Sequence, residues 1–299
     1  MIIFFIISAL FAVQTHFDVL KFFAKISLFF QNNCKNLSSN LPIFQDIHSA
    51  LLCGSSLNNT DFTNHLKTQS LIHLFIVSGG HFLFLEKFFT ILKVPEILKI
   101  TLLALYNICT GFQEPGTRSI CFLLSARFLK KTSLYLRSDQ ILLLVGVFLP
   151  VIFPSYLNSS SFLLSWTAAL SLNISSFLFF KFDGFLKIFL TQIFITAILA
   201  PWLCAFGNLH PLSILINMIF GPYIIVILFP LSGVIILISD FAPLFEHSIS
   251  LLNLCLSQTA NLFIVGHSTK IPILYFWAYL IFLHVGFHVY QIKFWQKTI

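Results

Sequence analysis

Apolar residues run almost without interruption through most of the chain, in stretches often near 20 residues that are separated by short polar turns. A helix of about 20 apolar residues crosses the roughly 30 Å hydrocarbon layer of a membrane. A transmembrane β-barrel would instead show segments of about ten residues in which apolar and polar positions alternate. The pattern therefore predicts an all-α, polytopic helical membrane protein.

The predicted helices fall into three regions. Residues 1–30 form N-terminal membrane or interfacial helices, and residues 31–70, rich in Asn and Ser, form a short polar loop with small amphipathic helices. Residues 71–299 form the main transmembrane domain. We expect about nine to eleven transmembrane or re-entrant segments in all. The apolar runs after residue 70 are 71–92, 97–113, 115–129, 139–154, 161–180, 185–206, 211–239, 243–265 and 271–290.

Basic residues indicate which loops face the cytoplasm, because cytoplasmic loops retain Lys and Arg. When alternate loops are assigned to the cytoplasm, nine basic residues fall on one face and three on the other. This assignment predicts that the 31–70 loop and the Gly111–Pro115 turn lie outside and that the C-terminus is cytoplasmic. The inner group is Lys93, Lys99, Lys130, Lys131, Arg137, Lys181, Lys187, Lys293 and Lys297, and the outer group is Lys35, Lys67 and Lys270.

Composition excludes a soluble domain. Hydrophobic residues make up 58% of the chain and charged residues 9%, and the mean hydropathy is +0.93. No soluble protein of this length carries such values on its surface. The formal net charge of +7 does not by itself indicate nucleic-acid binding, because a membrane protein gathers basic residues in its cytoplasmic loops.

Cysteine and histidine spacing shows no metal-binding or redox motif. No CxxC occurs. Histidines recur at intervals of eight, which puts them on no shared helix face, unlike the i, i+4 pair of a metal-binding helix. We therefore expect no metal and no cofactor. Of the ten histidines in the chain, those with this spacing are His65, His73 and His81.

The six cysteines fall into two groups. Cys34 and Cys53 both lie in the polar 31–70 stretch, which could face an oxidising compartment, so a disulfide between them is a candidate. The remaining four lie in apolar segments and are expected to be small buried hydrophobes. They are Cys109, Cys121, Cys204 and Cys255.

Two apolar runs carry signals that interrupt a helix. In the 71–92 run, Gly79 and Gly80 follow Ser78, and in the 211–239 run Gly221 and Pro222 form a pair. Unwound backbone inside a membrane must line a cavity or be buried in protein. Polar groups in hydrocarbon are also costly and normally face a bundle interior or a wet cavity. These two runs therefore predict a lumen or buried cleft.

Ser78 also raises the hypothesis of an intramembrane serine hydrolase. Its local sequence lacks the glycine two positions earlier that a rhomboid-type motif carries. A base within about 3 Å would be needed, and His284 or His288 of the last run could supply it.

The charged residues inside the apolar runs leave alternatives open. Arg118 follows a turn and either snorkels at the outer interface or is a cation at a pore mouth, where it could bind phosphate oxygens in a bidentate manner. Glu114 is a candidate partner. An ion pair within or between helices is the simplest explanation for Glu86 and Lys87.

Four sequence elements, in order, resemble motifs of the ComEC/Rec2 family of competence proteins. The segment LLCGSSLNNTDFTNHLKTQSLIHLFIVSGGHFLFL, with its His-Leu-Phe-Ile-Val-Ser-Gly-Gly-His core, resembles the family's first motif. TGFQEPGTRS resembles a Gly-x-x-x-Pro-x-x-Arg element and SFLLSWTAAL a Phe-x-Leu-Ser-Phe-x-Ala element. LHPLSILINMIFGP resembles a Pro-x-Ser-x-x-x-Asn-x-x-x-x-Pro element. Four elements in the family's order are far more specific than one.

The resemblance implies a channel in the inner (cytoplasmic) membrane, not an enzyme, that passes single-stranded DNA to the cytoplasm during transformation. Two sets of residues follow from the motifs. The DNA path would comprise His73, Ser78, Gly79, Gly80, His81, Arg118, Ser165 and Asn217. Helix breaks and turns would be formed by Gly111, Pro115, Pro211, Gly221 and Pro222.

The resemblance also implies partners. Single-stranded DNA and membrane lipid are the direct ones, with a periplasmic DNA receptor and a cytoplasmic motor or DNA-binding proteins on either side. Many members carry an OB-like domain and a hydrolase domain that we expect to be missing here, because the outer loop is short and no His-x-His-x-Asp-His motif occurs. A separate nuclease could then degrade the other strand. A small-solute transporter is the alternative, and an intramembrane hydrolase is the less favoured one.

Overall fold

Helices account for nearly all the regular structure of the chain. The computed structural model describes residues 19–38, 44–58, 60–132, 136–205, 212–260 and 271–298, and no strand occurs within these ranges. The predicted helix at the extreme N-terminus and Pro211 lie outside the described residues. The helices are α1 (Val19–Leu37), α2 (Gln45–Cys53), α3 (Thr60–Thr68), α4 (Ile72–Phe75), α5 (Gly79–Ile91), α6 (Glu96–Cys109), α7 (Glu114–Lys131), α8 (Ser138–Ile152), α9 (Ser160–Leu178), α10 (Gly184–Ala205), α11 (Ser213–Pro222), α12 (Phe229–Leu237), α13 (Ala242–Ala260) and α14 (Ile273–Thr298).

Four stretches of helix in the described ranges are long and apolar enough to cross a membrane. This confirms an all-helical membrane protein, while the count of about nine to eleven segments stays a prediction. A shorter apolar helix covers Ser138–Ile152. The four long stretches are Ser160–Leu178, Gly184–Ala205, Ser213–Leu237 and Ile273–Phe294.

The Ser213–Leu237 stretch departs from the sequence prediction. Gly221 and Pro222 were expected to unwind it, yet α11 passes at Pro222 into a π-helical stretch, Tyr223–Leu228, and then into α12. Proline has no N–H and removes an i→i−4 bond from a helix. The π-helical register, with i→i+5 bonds, accommodates this loss without opening the helix.

The chain divides into two compact units. Unit 1 comprises Met1–Asp18, Cys121–Ala205 and Thr269–Ile299, and unit 2 comprises Val19–Ile120 and Phe206–Ser268. The sequence boundaries at residues 30 and 70 rest on polarity alone and stay predictions.

In unit 1 the indole of Trp166, 1% exposed, packs against Gly146 of α8. A Cβ at Gly146 would lie 2.2 Å from Trp166 Cζ2, so only glycine fits there. Trp166 Nε1 donates a hydrogen bond to His284 Nε2 of α14 at 3.0 Å. Two aromatic residues complete this core, Phe162 and Trp277.

In unit 2 the polar stretch is part of the core and is not a free loop. Ile47 and Leu51 of α2 and Phe62 and Leu66 of α3 are at most 2% exposed, and they belong to one hydrophobic cluster with side chains of α4 and of α11 to α13. Apolar side chains on one face of a short helix gain about 1.5–3 kcal/mol each on full burial. These small helices are therefore held by packing against the long ones.

His48 joins α2 to α12 through a buried hydrogen bond. Its Nε2 donates to the Ser232 carbonyl at 2.7 Å, and its ring meets Phe245 edge to face. Burial lowers the pKa of His48 below its ordinary value, and the bond to Ser232 opposes that shift only in part. The imidazole is therefore a neutral structural link.

Cys34 of α1 and Cys53 of α2 form a disulfide, with their Cα atoms 5.9 Å apart. Gln31 Nε2 donates to the Cys53 carbonyl at 3.1 Å, and Gln113 Nε2 donates to the Gly54 carbonyl at 3.1 Å. The disulfide-bonded segment is therefore tied to the turn before α7. Among the other cysteines, Cys204 is exposed and not buried as expected, while Cys109, Cys121 and Cys255 are partly buried.

Candidate functional site

The first motif forms a helix break followed by a capped helix start. Helix α4 ends at Phe75, the chain is extended at Ile76 and Ser78, and α5 begins at Gly79. The break therefore lies just before the glycine pair and not at it. Ser78 is the N-cap residue, the position at which serine is favoured because its side chain can bind a free N–H of the first turn.

Ser78 and His81 form a reciprocal capping box. The Ser78 backbone N–H donates to His81 Nδ1 at 3.0 Å, and the Ser78 hydroxyl lies 3.1 Å from the same nitrogen. Histidine here occupies the third helical position, where glutamate or glutamine usually closes such a box. The polar pair therefore fixes where α5 begins.

The bond from Ser78 also fixes the tautomer of His81. Because Nδ1 accepts an N–H, the proton of the neutral ring is on Nε2. The side chain is 0% exposed, and Nε2 has no hydrogen-bond partner among the residues that the structure describes. The ring packs against Phe229 with centroids 4.5 Å apart.

The second motif packs against the first turn of α5. A Cβ at Gly79 would lie 2.7 Å from Ser119 Oγ and 3.2 Å from Arg118 Nη2, so the absence of a side chain at Gly79 allows α7 to approach. Ser119 Oγ is itself held by a bond to the Pro115 carbonyl at 2.8 Å. Arg118 is 7% exposed, which excludes the snorkelling pose.

Two positions of the second motif shape the turn that precedes α7. Gly111 has φ +78°, in the left-handed region that glycine adopts without strain. Pro115 is the second residue of α7, within the first helical turn, where its missing N–H costs no helical bond. The turn therefore places Arg118 on the first turns of the helix.

The fourth motif meets the first along α11 and the π-helical stretch. A Cβ at Gly80 would lie 3.0 Å from Ile225 Cδ1, and one at Gly221 would lie 3.7 Å from Leu74 Cδ1. Asn217 donates its side-chain N–H to the Ser213 carbonyl of its own helix at 2.8 Å. Three of the four motifs therefore meet within unit 2.

Two predicted path residues remain, one in each unit. Ser165 is half-buried on α9, in unit 1, directly before Trp166. His73 is an exposed side chain on α4.

Sequence reasoning missed several residues that build this site. Gly116 packs so closely that a Cβ would lie 2.5 Å from Phe82 Cε2, and Asn107 bonds Thr117 at 3.3 Å across the α6–α7 pair. Phe229 was also missed, because one phenylalanine among 38 carries no signal of its own. A glycine directly after the motif proline was the available hint for the close contact.

The geometry bears on the hydrolase hypothesis. The Ser78–His81 distance is short enough for a nucleophile and base, but the same Nδ1 already accepts the Ser78 N–H. The histidines suggested as bases have other contacts: His284 accepts from Trp166, and His288 Nδ1 lies 3.4 Å from Arg137 Nη2. Ser78 and His81 therefore act as a helix cap. Within the described ranges no group of three or more His, Cys, Asp or Glu could hold a metal ion.

Comparison with known proteins supplies the family. The family model described as Competence protein matches residues 52–294, most of the chain. Comparison with curated proteins and with solved structures finds no match. The matched range covers all four motifs except Leu51 at the start of the first, and it includes the helix break before α5. The chain therefore belongs to the competence protein family, and it corresponds to the membrane channel domain of ComEC/Rec2 proteins.

Proposed function

We propose that the chain forms a conduit through which one DNA strand crosses the inner membrane, with no catalytic step of its own. Membership of the competence family supports a role in DNA uptake, and the four long apolar helices support a membrane location. The observation that carries the conduit proposal is the contact of the second motif with the first at the first turn of α5, next to the contact of Gly221 in the fourth motif with Leu74 of α4. The buried Arg118 lies beside this turn.

The chemistry at this turn suits a phosphate. Backbone N–H groups and the positive end of the helix dipole favour anions at a helix N-terminus. Arg118 adds a fixed positive charge near Gly79, and a guanidinium can bind two phosphate oxygens at once. Contacts to phosphate carry no sequence information, which is what a conduit for any strand requires.

Other motif residues would complete the path. His73 presents an exposed imidazole on α4, and Asn217 is partly exposed on α11. In the proposal both line the route, together with Ser78 and His81 at the helix break.

Charge and the disulfide support the proposed orientation. Disulfides persist on the oxidising side of the membrane, so Cys34 and Cys53 support an outer location for the 31–70 segment. The C-terminus is then cytoplasmic, and shorter helices such as α8 complete about nine to eleven segments. A periplasmic DNA receptor, a cytoplasmic motor and a separate nuclease would act with the channel.

Uptake of labelled DNA into the cytoplasm tests this function. In cells that carry Arg118→Ala we expect uptake to fall about tenfold or more, the effect of losing roughly 1.4 kcal/mol or more of interaction. Arg127→Ala, on the same helix, is the matched control and should retain uptake. Normal uptake with Arg118→Ala would reject the role of Arg118, and normal uptake in a deletion strain would reject the function.

The small-solute alternative predicts a different ligand. Thermal unfolding of the purified protein distinguishes the two, because a bound ligand stabilises the folded state. Stabilisation by single-stranded oligonucleotides supports the conduit. The logarithm of the binding constant should then fall with the logarithm of the salt concentration, with a slope of about 0.7 per neutralised phosphate. Stabilisation by a small molecule alone supports the transporter.

A further inference from the structure

Phe229 lies at the centre of an aromatic cluster in unit 2. Its side chain is 3% exposed. His81 of α5 packs against it at 4.5 Å between centroids, and Tyr106 of α6 and Phe84 of α5 each lie at 6.0 Å. One ring from the π-helix junction therefore contacts both α5 and α6.

Two polar groups around this ring have no hydrogen-bond partner in the part of the chain that the structure describes. They are His81 Nε2, which carries the ring proton, and the Tyr106 hydroxyl, and both atoms are buried. Buried polar groups are nearly always hydrogen bonded, so each exception requires an explanation. Here the two exceptions come from different helices and meet at the same phenylalanine.

The element that carries Phe229 can change register. Phe229 directly follows the π-helical stretch Tyr223–Leu228 and precedes Pro230. Single-turn π segments occur frequently at functional sites. Return of this stretch to α-helical bonding would shift the following residues by one position, a rotation of about 100° around the helix axis. Such a rotation would carry Phe229 away from His81.

We propose that Phe229 is the gate of the conduit and that the structure is its closed state. In this state the aromatic ring covers His81 Nε2 and the Tyr106 hydroxyl. Rotation of α12 uncovers both groups, which then bind water or the passing strand. The inference rests on the proposed function, because a gate needs a path to close.

The gate is tested by ion leakage through the full chain in proteoliposomes without DNA. Phe229→Ala removes the ring, and we expect at least a tenfold rise in basal potassium flux over the wild type. Phe245→Ala is the matched control, because Phe245 is also fully buried in unit 2 but packs against His48. A similar loss of thermal stability in both variants, with leakage in Phe229→Ala alone, supports the gate.

A second pair of variants tests the role of the π-helical stretch without creating a cavity. Gly221→Ala stiffens the helix just before the π-helical stretch, where the added Cβ meets Leu74 Cδ1 at an ordinary 3.7 Å. We expect it to reduce the flux of Phe229→Ala at least threefold. Gly233→Ala, where a Cβ meets nothing within 4 Å, should leave that flux unchanged.

The outcomes separate the gate from the proposed function. If Phe229→Ala gives the same flux as the wild type in proteoliposomes, and the wild-type chain supports DNA uptake in cells, the gate is overturned and the conduit is left intact. Equal leakage in Phe229→Ala and Phe245→Ala overturns it as well. Normal DNA uptake in a deletion strain instead rejects the conduit, whatever the flux measurement shows.

Discussion

At the scale of single residues, the motif glycines matter because they have no side chain, which lets neighbouring groups come close. Gly79 admits Ser119 and Arg118 to the first turn of α5, and Gly116 admits the Phe82 ring. Neither has a positive φ, so their role is close packing and not backbone freedom. Ser119 uses its hydroxyl to bind the Pro115 carbonyl.

Gly79→Ala is expected to destabilise the protein by about 1–3 kcal/mol, the usual cost of overpacking a tight contact. The new methyl would meet Ser119 Oγ at 2.7 Å, and that oxygen is held by its own hydrogen bond. Thermal unfolding of the purified protein measures the effect. Gly286→Ala, where a Cβ meets nothing within 4 Å, is the control, and an equal shift in both variants would contradict the packing argument.

At the scale of elements, a buried lysine holds the α5–α6 pair. Lys99 is 5% exposed, and its Nζ lies 3.0 Å from Glu96 and 3.9 Å from Glu86. It also donates to Thr90 Oγ1 at 2.9 Å. Glu86 therefore pairs between helices with Lys99, and Lys87 is exposed. Charge counting assigned Lys99 to a cytoplasmic loop, but in the structure its ammonium group pairs with Glu86 and Glu96.

Replacing Lys99 with alanine should cost about 1–3 kcal/mol, between the values for exposed and fully buried ion pairs, because both carboxylates are partly exposed. Lys87 is exposed on α5, the other helix of the pair, so Lys87→Ala should change stability little. Unfolding temperature and resistance to trypsin measure the difference. If the two variants behave alike, the buried lysine is not a structural link.

The sequence anticipated the elements better than their contacts. Apolar runs predicted helices, and Ser78 with its glycines predicted the break in the 71–92 run, because both signals are local. The π-helical stretch after Gly221 and Pro222 could not be predicted in the same way, since proline signals a lost helical bond but not the register in which the helix continues. Phe229 and Lys99 are indistinguishable in the sequence from lipid-facing or loop residues.

At the scale of the whole molecule, contacts between side chains do not determine which face of the membrane each loop lies on. Charge counting places the turn after α10 outside and the end of α14 inside. Lys293 is exposed on α14, and Cys204 is an exposed thiol close to the end of α10. If the proposed topology holds, the two positions report on opposite faces of the membrane.

Thiol labelling in spheroplasts tests the orientation. With Cys109, Cys121 and Cys255 replaced by serine, we expect a membrane-impermeant maleimide to label Cys204 in intact spheroplasts. A Lys293→Cys variant that also carries Cys204→Ser should be labelled only after the membrane is permeabilised. The reverse pattern would invert the proposed topology and place the disulfide-bonded segment in the reducing compartment.

The helix cap formed by Ser78 and His81 makes the start of α5 depend on an uncharged imidazole. A proton added to Nδ1 would turn that nitrogen from an acceptor into a donor facing the Ser78 N–H, and the reciprocal bond would be lost. The cap at the start of α5, formed within the first motif, therefore requires an Nδ1 atom that carries no proton.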